Sequence, residues 1–195
     1  MSMKLVDLKM LNYDGSQLHH AFAYEKVRIL GETVSIFRGR AHVKKHLVDL
    51  EDSLADDLIS ANDMWHFIIE IPGATIMESV AIQRLFICKC IEVLQNILPG
   101  KLFIRRGDDI IVRGKKLSVS IATLSRFGGL IHVGINIDPG SGCPVPATGL
   151  IELLSRKKKV DREFWIKNFG RNVAHVFIEE YEDMKEATYK VKEVE

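Results

Sequence analysis

The sequence predicts an α+β fold in which helices pack around a largely antiparallel central sheet. Two observations support this prediction. Short β-branched and aromatic runs, separated by Gly and Pro turns, cluster between residues 102 and 137, and long runs with helical spacing lie on either side of them. The 195 residues are 47% hydrophobic and 27% charged, which excludes a disordered chain and is enough for one real core. We therefore expect a single domain over residues 1–195.

The first half of the chain predicts alternating elements. Residues 27–38 contain β-branched side chains around a Gly-Glu turn, which indicates a hairpin. Residues 49–62 place Leu and Ile at helical spacing among acids, which indicates a helix. The aromatic and β-branched run at 65–71 stops at a Pro-Gly pair and predicts a strand. Residues 78–98 form the longest periodic run and predict a buried helix.

The second half of the chain predicts four strands in close order, followed by helices. The strands are expected at 102–105, 110–113, 117–123 and 130–137. Residues 139–149 hold three Gly and three Pro and predict a loop. Helices are expected from about residue 151 to residue 192.

Charge is balanced over the whole chain but not along it. There are 27 Lys and Arg against 26 Asp and Glu, a net charge of +1, which argues against a general nucleic-acid coat. Cations accumulate in residues 28–46 and 101–126, and acids in residues 47–57 offset them. This pattern is compatible with a local basic site that holds a small anionic ligand.

Cysteine usage and hydropathy predict a location. An odd set of three cysteines is neither a disulfide framework nor a four-ligand zinc set, and it fits a reducing compartment. No window approaches a membrane span and the N-terminus lacks the apolar core of a signal peptide. We expect a cytoplasmic protein without a membrane partner.

Residues 102–137 carry a specific order of features. A strand leads to a polar turn that ends in Asp109, a second strand leads to Gly114-Lys115-Lys116, and a later strand carries the segment Gly-Ile-Asn-Ile at 134–137. This order resembles the catalytic domain of biotin and lipoate protein ligases, over roughly residues 27–185. The chain also resembles an archaeal family of unknown function that is similar to these ligases.

The resemblance implies a set of site residues. Lys116 would contact the acyl carboxylate and the adenylate phosphate, Asp109 would face the nucleotide, and Asn136 would support the floor of the site. The other ligand-binding residues that we expect are Arg38, Gly39, Arg40 and His132. Fixed cations suit the charge that develops when a carboxylate is adenylated.

The same resemblance implies a reaction and partners. The reaction would be ATP-dependent activation of a carboxylate, with Mg²⁺ accompanying ATP, or acyl transfer to an amine. The ligand would be an acyl group or a nucleotide, the partner would be an acceptor protein, and the chain would form a homodimer. The chain departs from the ligase motifs in lacking their complete Gly/Arg-rich loop and in having Val119 where a small residue follows the lysine. A non-catalytic module that binds a nucleotide or a partner therefore stays open as an alternative.

Two further motifs have competing interpretations. Cys143, in a Gly-Cys-Pro loop, resembles the cysteine that octanoyltransferases of this superfamily pair with a lysine, and the competing interpretation is a loop cysteine without a role. A neighbouring lysine favours the thiolate that covalent catalysis needs. His42, His46 and Asp49 would share one face if they lay on a helix. A polar loop explains them as well, and we predict no metal site.

Overall fold

The computed structural model describes residues 2–55 and 57–192, so that Asp56 of the acidic stretch lies outside the described residues. The strands are β1 (Lys4–Met10), β2 (Thr33–Val43), β3 (Ile59–Pro72), β4 (Ile104–Arg106), β5 (Asp109–Val112), β6 (Lys115–Lys116), β7 (Ser118–Ser125) and β8 (Gly128–Asp138). The helices are α1 (Phe22–Val27), α2 (Leu50–Leu54), α3 (Ile76–Ile97), α4 (Leu150–Leu153) and α5 (Lys159–Thr188). The mixed α+β prediction is confirmed.

The strands form two sheets. The larger sheet has the order β1-β2-β3-β8-β7, and the smaller sheet has the order β4-β5-β6. Only β1 and β2 pair in parallel in the large sheet, whereas every other neighbouring pair is antiparallel. The central sheet is therefore largely antiparallel, as predicted.

Two local predictions are right for only part of their residues. In place of a hairpin at 27–38, residue Val27 ends α1 and only the residues from Thr33 onward enter a strand. In place of a helix at 49–62, α2 ends at Leu54 and β3 begins at Ile59. The first segment continues into the long strand β2, which pairs with the remote strand β1. The end of the second segment belongs to β3, which pairs with β2. Local spacing does not show such pairing between strands. The second segment has helical spacing, but its apolar side chains do not all pack into the core: Leu54 is 88% exposed.

One face of the large sheet, which we call the helix face, carries the main apolar core. The side chains of Trp65, Phe67 and Ile69 on β3 point to this face and pack with buried residues of α3 and α5. Phe86 of α3 lies between Phe67 and Phe177, with ring centroids 4.9 Å from each. Helix α3 starts at a capping box that satisfies its first backbone donors. These aromatic rings are buried together with many Ile, Leu and Val side chains, and this burial stabilises the packing of α3 and α5 on the sheet.

The opposite face, which we call the open face, carries the intervening side chains, including those of Phe37, His66 and Ile68. The chain after β1 lies across part of it, so that Tyr13 joins a second, smaller apolar cluster with Phe37 and Ile68. Gly39 permits this crossing, because a Cβ there would approach the Leu11 carbonyl oxygen to 2.2 Å.

Length and hydropathy of the helices bear on membrane association. Within residues 2–55 and 57–192, the helices are too short or too polar to cross a bilayer.

Candidate functional site

A cavity of about 510 Å³ opens on the open face, where β7 and β8 meet β6 and the loop after β8. Its walls include the apolar side chains of Met64, Val119 and Ile121. The chemically active groups of its lining are Asp109, Lys116, His132, Asn136 and Cys143. Five of the eight site residues expected from the sequence therefore line one cavity, and its size suits a small organic ligand.

Lys116 and Asp109 form an ion pair at the cavity wall. The distance between Lys116 Nζ and Asp109 Oδ2 is 2.9 Å, and the two residues lie on the paired strands β6 and β5. Partial burial raises the pKa of the Asp109 carboxyl above its usual range, and the Lys116 ammonium opposes that rise. The lysine is thus held in place by a carboxylate that is itself poorly solvated.

The loop that carries Cys143 is fastened to the strand that carries Lys116. The Lys116 amide donates to the Pro146 carbonyl over 2.9 Å, and the Thr148 amide donates to the Lys116 carbonyl over 2.9 Å. Asn136 completes this corner, since its side-chain amide donates to the same carbonyl over 3.4 Å. These bonds bring the half-buried Cys143 to the same cavity as the lysine.

Asp108, beside Asp109, lines the cavity in a different setting. Its carboxylate lies 3.0 Å from the Arg84 guanidinium, and it accepts hydrogen bonds from Gln83 over 3.3 Å and from Ser120 over 3.1 Å. Two of these partners come from α3, which packs on the helix face. Asp108 is therefore bound by side chains of α3 and β7, whereas Asp109 contacts Lys116.

Two buried histidines adjoin the cavity. His66 Nδ1 lies 3.1 Å from His132 Nε2, and His66 Nε2 lies 3.3 Å from the Gly39 carbonyl oxygen. The Tyr13 ring stacks on His132 with centroids 3.8 Å apart and planes 8° apart. Burial lowers the pKa of His66 to about 3 and lowers that of His132 well below its ordinary value. Both imidazoles are therefore neutral near pH 7.

The sequence analysis missed Tyr13 and His66 as members of this region. The available signal was weak, because His66 appears as a single polar residue in an apolar strand and Tyr13 as a single aromatic residue in a polar turn. Their relation to His132 exists only once β3 pairs with β8 and the chain after β1 crosses the sheet.

Three residues expected at the site lie elsewhere. Arg38 pairs with Trp65 in the sheet register, so its side chain is on the helix face, where it forms a bidentate ion pair with Asp63. Arg40 is exposed, and Gly39 packs against the chain after β1. None of Arg38, Gly39 and Arg40 is part of the described cavity lining.

The charge of the cavity differs from the one expected. Its described lining contains four aspartates, Asp49, Asp57, Asp108 and Asp109, and Lys116 as its lysine. The cations of residues 28–46 do not contribute to it, since Arg38 faces the helix side. The two basic stretches of the sequence therefore do not combine into one basic pocket, because alternate strand positions send their side chains to different faces.

The structure also bears on metal binding. His42 lies in β2, and no helix continues to Asp49, so the two histidines and Asp49 do not share a helical face. Among the described residues, no group of three or more His, Cys, Asp or Glu side chains has a metal-binding arrangement.

The fold is that of a biotin/lipoate ligase-like α+β protein: its structural neighbours include a biotin protein ligase from Aquifex aeolicus and the T. acidophilum protein Ta0514, described as a putative lipoate protein ligase. A biotin protein ligase from Aquifex aeolicus in complex with biotin and ATP superposes with a TM-score of 0.55 at 13% identity. The match covers 91% of this chain and 72% of that one. At this identity the likeness concerns the fold.

More similar proteins identify the family. The chain belongs to the family described as a domain of unknown function, DUF366, which matches residues 1–192. A protein of unknown function from Pyrococcus horikoshi is 36% identical, with both chains fully covered and a TM-score of 0.86. An uncharacterised protein of Methanocaldococcus jannaschii is 29% identical over 170 residues, which cover 84% of this chain and 76% of that protein.

Proposed function

We propose that this protein binds an acyl group in the cavity on the open face and transfers it through Cys143, with Lys116 as the principal polar contact. The observation that carries the proposal is that Lys116 and Cys143, on a strand and a loop hydrogen-bonded to each other, line one partly apolar cavity. A thiol, a cation and an apolar wall are the parts that acyl transfer needs.

The reaction follows from these groups. The Cys143 thiolate attacks the carbonyl carbon of an acyl thioester and a new carbon–sulfur bond forms. The carbon–sulfur bond of the donor breaks, and the donor leaves as a thiolate that takes up the proton given up by Cys143. An acceptor amine then attacks the acyl-enzyme. The amide bond forms, the bond to Cys143 breaks, and the amine proton returns to the sulfur. The Lys116 ammonium stabilises the negative charge on the carbonyl oxygen in both steps.

ATP-dependent activation of a carboxylate is the reaction that the ATP-bound Aquifex aeolicus ligase suggests. The residues present here do not fit a triphosphate well. The described lining holds one lysine and four aspartates, and the guanidinium of Arg38 is paired with Asp63 on the other face. A single ammonium suits one carboxylate or one carbonyl oxygen, whereas a polyphosphate needs several cations or metal ions. We therefore assign no step to ATP.

The first test measures ligand binding by thermal shift and calorimetry with octanoate, lipoate, biotin and ATP. We expect octanoate or lipoate to stabilise the wild-type protein, and Lys116→Ala to weaken that binding about tenfold, the loss of one charge-assisted contact. Lys115→Ala is the matched control, since Lys115 is exposed and pairs with Glu152 over 3.3 Å. A Lys116→Ala protein that binds every one of these ligands as well as wild type contradicts the proposal.

The second test measures covalent chemistry by intact mass after incubation with an octanoyl thioester. We expect an adduct of one acyl group in wild type and in Cys88→Ser, and none in Cys143→Ser. Cys88 is the matched control, because it is an exposed thiol on α3. Ligand binding without any adduct at Cys143 would support the non-catalytic binding module instead.

A further inference from the structure

The histidine pair beside the cavity originates in the register of the sheet. On β3 and β8, His66 lies opposite Gly134 and His132 lies opposite Ile68, so the two histidines are diagonal neighbours on the open face. Long side chains at such positions reach each other. The contact between the rings is thus imposed by two strands of the central sheet, and Tyr13 holds the plane of His132 from one side.

The hydrogen bonds of this pair have a fixed direction. A carbonyl oxygen only accepts, so the bond to Gly39 requires the proton of His66 to sit on Nε2. Burial keeps His66 neutral, and its Nδ1 is then an acceptor. The contact between His66 Nδ1 and His132 Nε2 therefore needs a proton on His132 Nε2. Nδ1 of His132 is left as the unprotonated nitrogen.

This nitrogen belongs to a ring that lines the cavity. The Nε2 side of the His132 ring is taken by His66 and one of its faces by Tyr13. The ring is 3% exposed and its wall neighbours in the cavity include Ile121, which lies directly opposite it on β7. An unprotonated nitrogen of a ring that is almost completely buried gains from a partner that donates a hydrogen bond, because little water reaches it.

We propose that His132 accepts a hydrogen bond through Nδ1 from an uncharged N–H or O–H group of the acyl ligand, and so selects acyl groups that carry such a donor. This inference rests on the proposed function, because it concerns the same cavity. His66 is a positioning residue that acts through His132: it holds the proton of His132 on Nε2. The Gly39 carbonyl in turn holds the proton of His66, which gives Gly39 a role without a place in the cavity wall.

The first test is a spectrum of the wild-type protein without any ligand. Long-range ¹⁵N–¹H correlation of the imidazoles reports the tautomer of each histidine. We expect both His66 and His132 to be neutral and protonated on Nε2 at pH 7, because burial lowers both pKa values. His66 is expected to stay so down to about pH 5, since its pKa is lowered to about 3. A His132 that is protonated on Nδ1 overturns the inference, and this readout is independent of ligand binding.

The second test compares ω-hydroxyalkanoates with their ω-methoxy counterparts over a series of chain lengths. Methylation removes the donor and keeps the acceptor, so we expect the hydroxy compound to bind about 3- to 10-fold tighter at the length that reaches His132. His66→Phe removes the acceptor that holds the proton of His132 on Nε2, so it is expected to remove this preference. His175→Gln, on the exposed side of α5, is expected to keep the preference.

The outcomes separate the two proposals. Octanoate binding that depends on Lys116, with no preference for the hydroxy compound at any length, overturns the role of His132 and leaves the proposed function standing. Octanoate binding that does not depend on Lys116 contradicts the proposed function, and failure of all alkanoates to bind contradicts both. If the His66→Phe protein does not fold, the inference is still tested, because the tautomer of His132 is measured in the wild-type protein.

Discussion

The two faces of the central sheet are built from alternate residues of the same strands and have opposite characters. On β8, Ile131, Val133 and Ile135 join the apolar core under α3 and α5. At the alternate positions, His132 and Asn136 point to the open face and line the cavity. One face is filled by helices, and the other is partly covered by a crossing chain that leaves room for a ligand. The period of two along a strand thus separates stability from chemistry.

The largest expected difference between the faces is in stability. Phe86→Ala removes a ring that is fully buried on the helix face, so it is expected to lower the free energy of unfolding by about 3–5 kcal/mol. Val119→Ala, in the half-buried wall of the cavity, is expected to cost less than about 1 kcal/mol. Urea denaturation measures both. Equal losses would show that the open face is packed as tightly as the helix face.

The next effect is the dependence of stability on pH, and it arises on the open face. The pKa values of His66 and His132 are lowered in the folded state, so the unfolded chain binds more protons once the pH falls below about 6.5. The free energy of unfolding is therefore fully retained above that pH and decreases on acidification. At pH 5 we expect a loss of about 2 kcal/mol from His66, and a further loss in the same direction from His132.

Urea denaturation at a series of pH values between 7 and 5 measures this loss. His175→Gln is the control and is expected to keep the slope, since His175 is exposed on α5. A wild-type protein whose stability is constant over this range would show that the two buried imidazoles gain protons in the folded state.

A smaller loss of stability is expected when a glycine in a crowded position is replaced by alanine. Gly39→Ala is expected to cost about 1–3 kcal/mol, because its Cβ would meet the Leu11 carbonyl and displace the chain that carries Tyr13. Gly142→Ala, where a Cβ has open space, is the control and is expected to leave stability unchanged. Thermal unfolding measures stability, and the ring-current shift on His132 from Tyr13 reports the stack. A normal stack in Gly39→Ala contradicts this account.

The smallest expected effect concerns the cation that lies on the wrong face for the cavity. Arg38→Gln removes the partly exposed ion pair with Asp63, which is expected to cost about 1 kcal/mol or less and to leave octanoate affinity unchanged. Arg40→Gln is the exposed control. Weaker octanoate binding in Arg38→Gln would mean that this side chain reaches the ligand and that the separation of the faces is incomplete.

Residues that are close in sequence were the predictable part of the site. The motif from Asp109 to Lys116 spans a single hairpin, so its ion pair follows from local strand pairing, and Asn136 follows from the next strand pair. Arg38 and Arg40 fit the same motif reasoning and yet lie away from the cavity. The face on which a strand residue lies depends on register, and β2 has an irregularity between Gly39 and Ala41 that composition does not reveal.

By itself, the sequence determined the α+β class, the position of α3 and α5, the strand at 65–71 and the strand that ends in Gly-Ile-Asn-Ile, because hydrophobic periodicity and turn residues are local properties. Only the tertiary structure decided which residues share the cavity. The pairing of β2 with β1, the contact of His66 with His132 and the return of the Cys143 loop to β6 join residues that are far apart in the chain. Such contacts form because strands complete their hydrogen bonds with whichever neighbour the whole fold supplies.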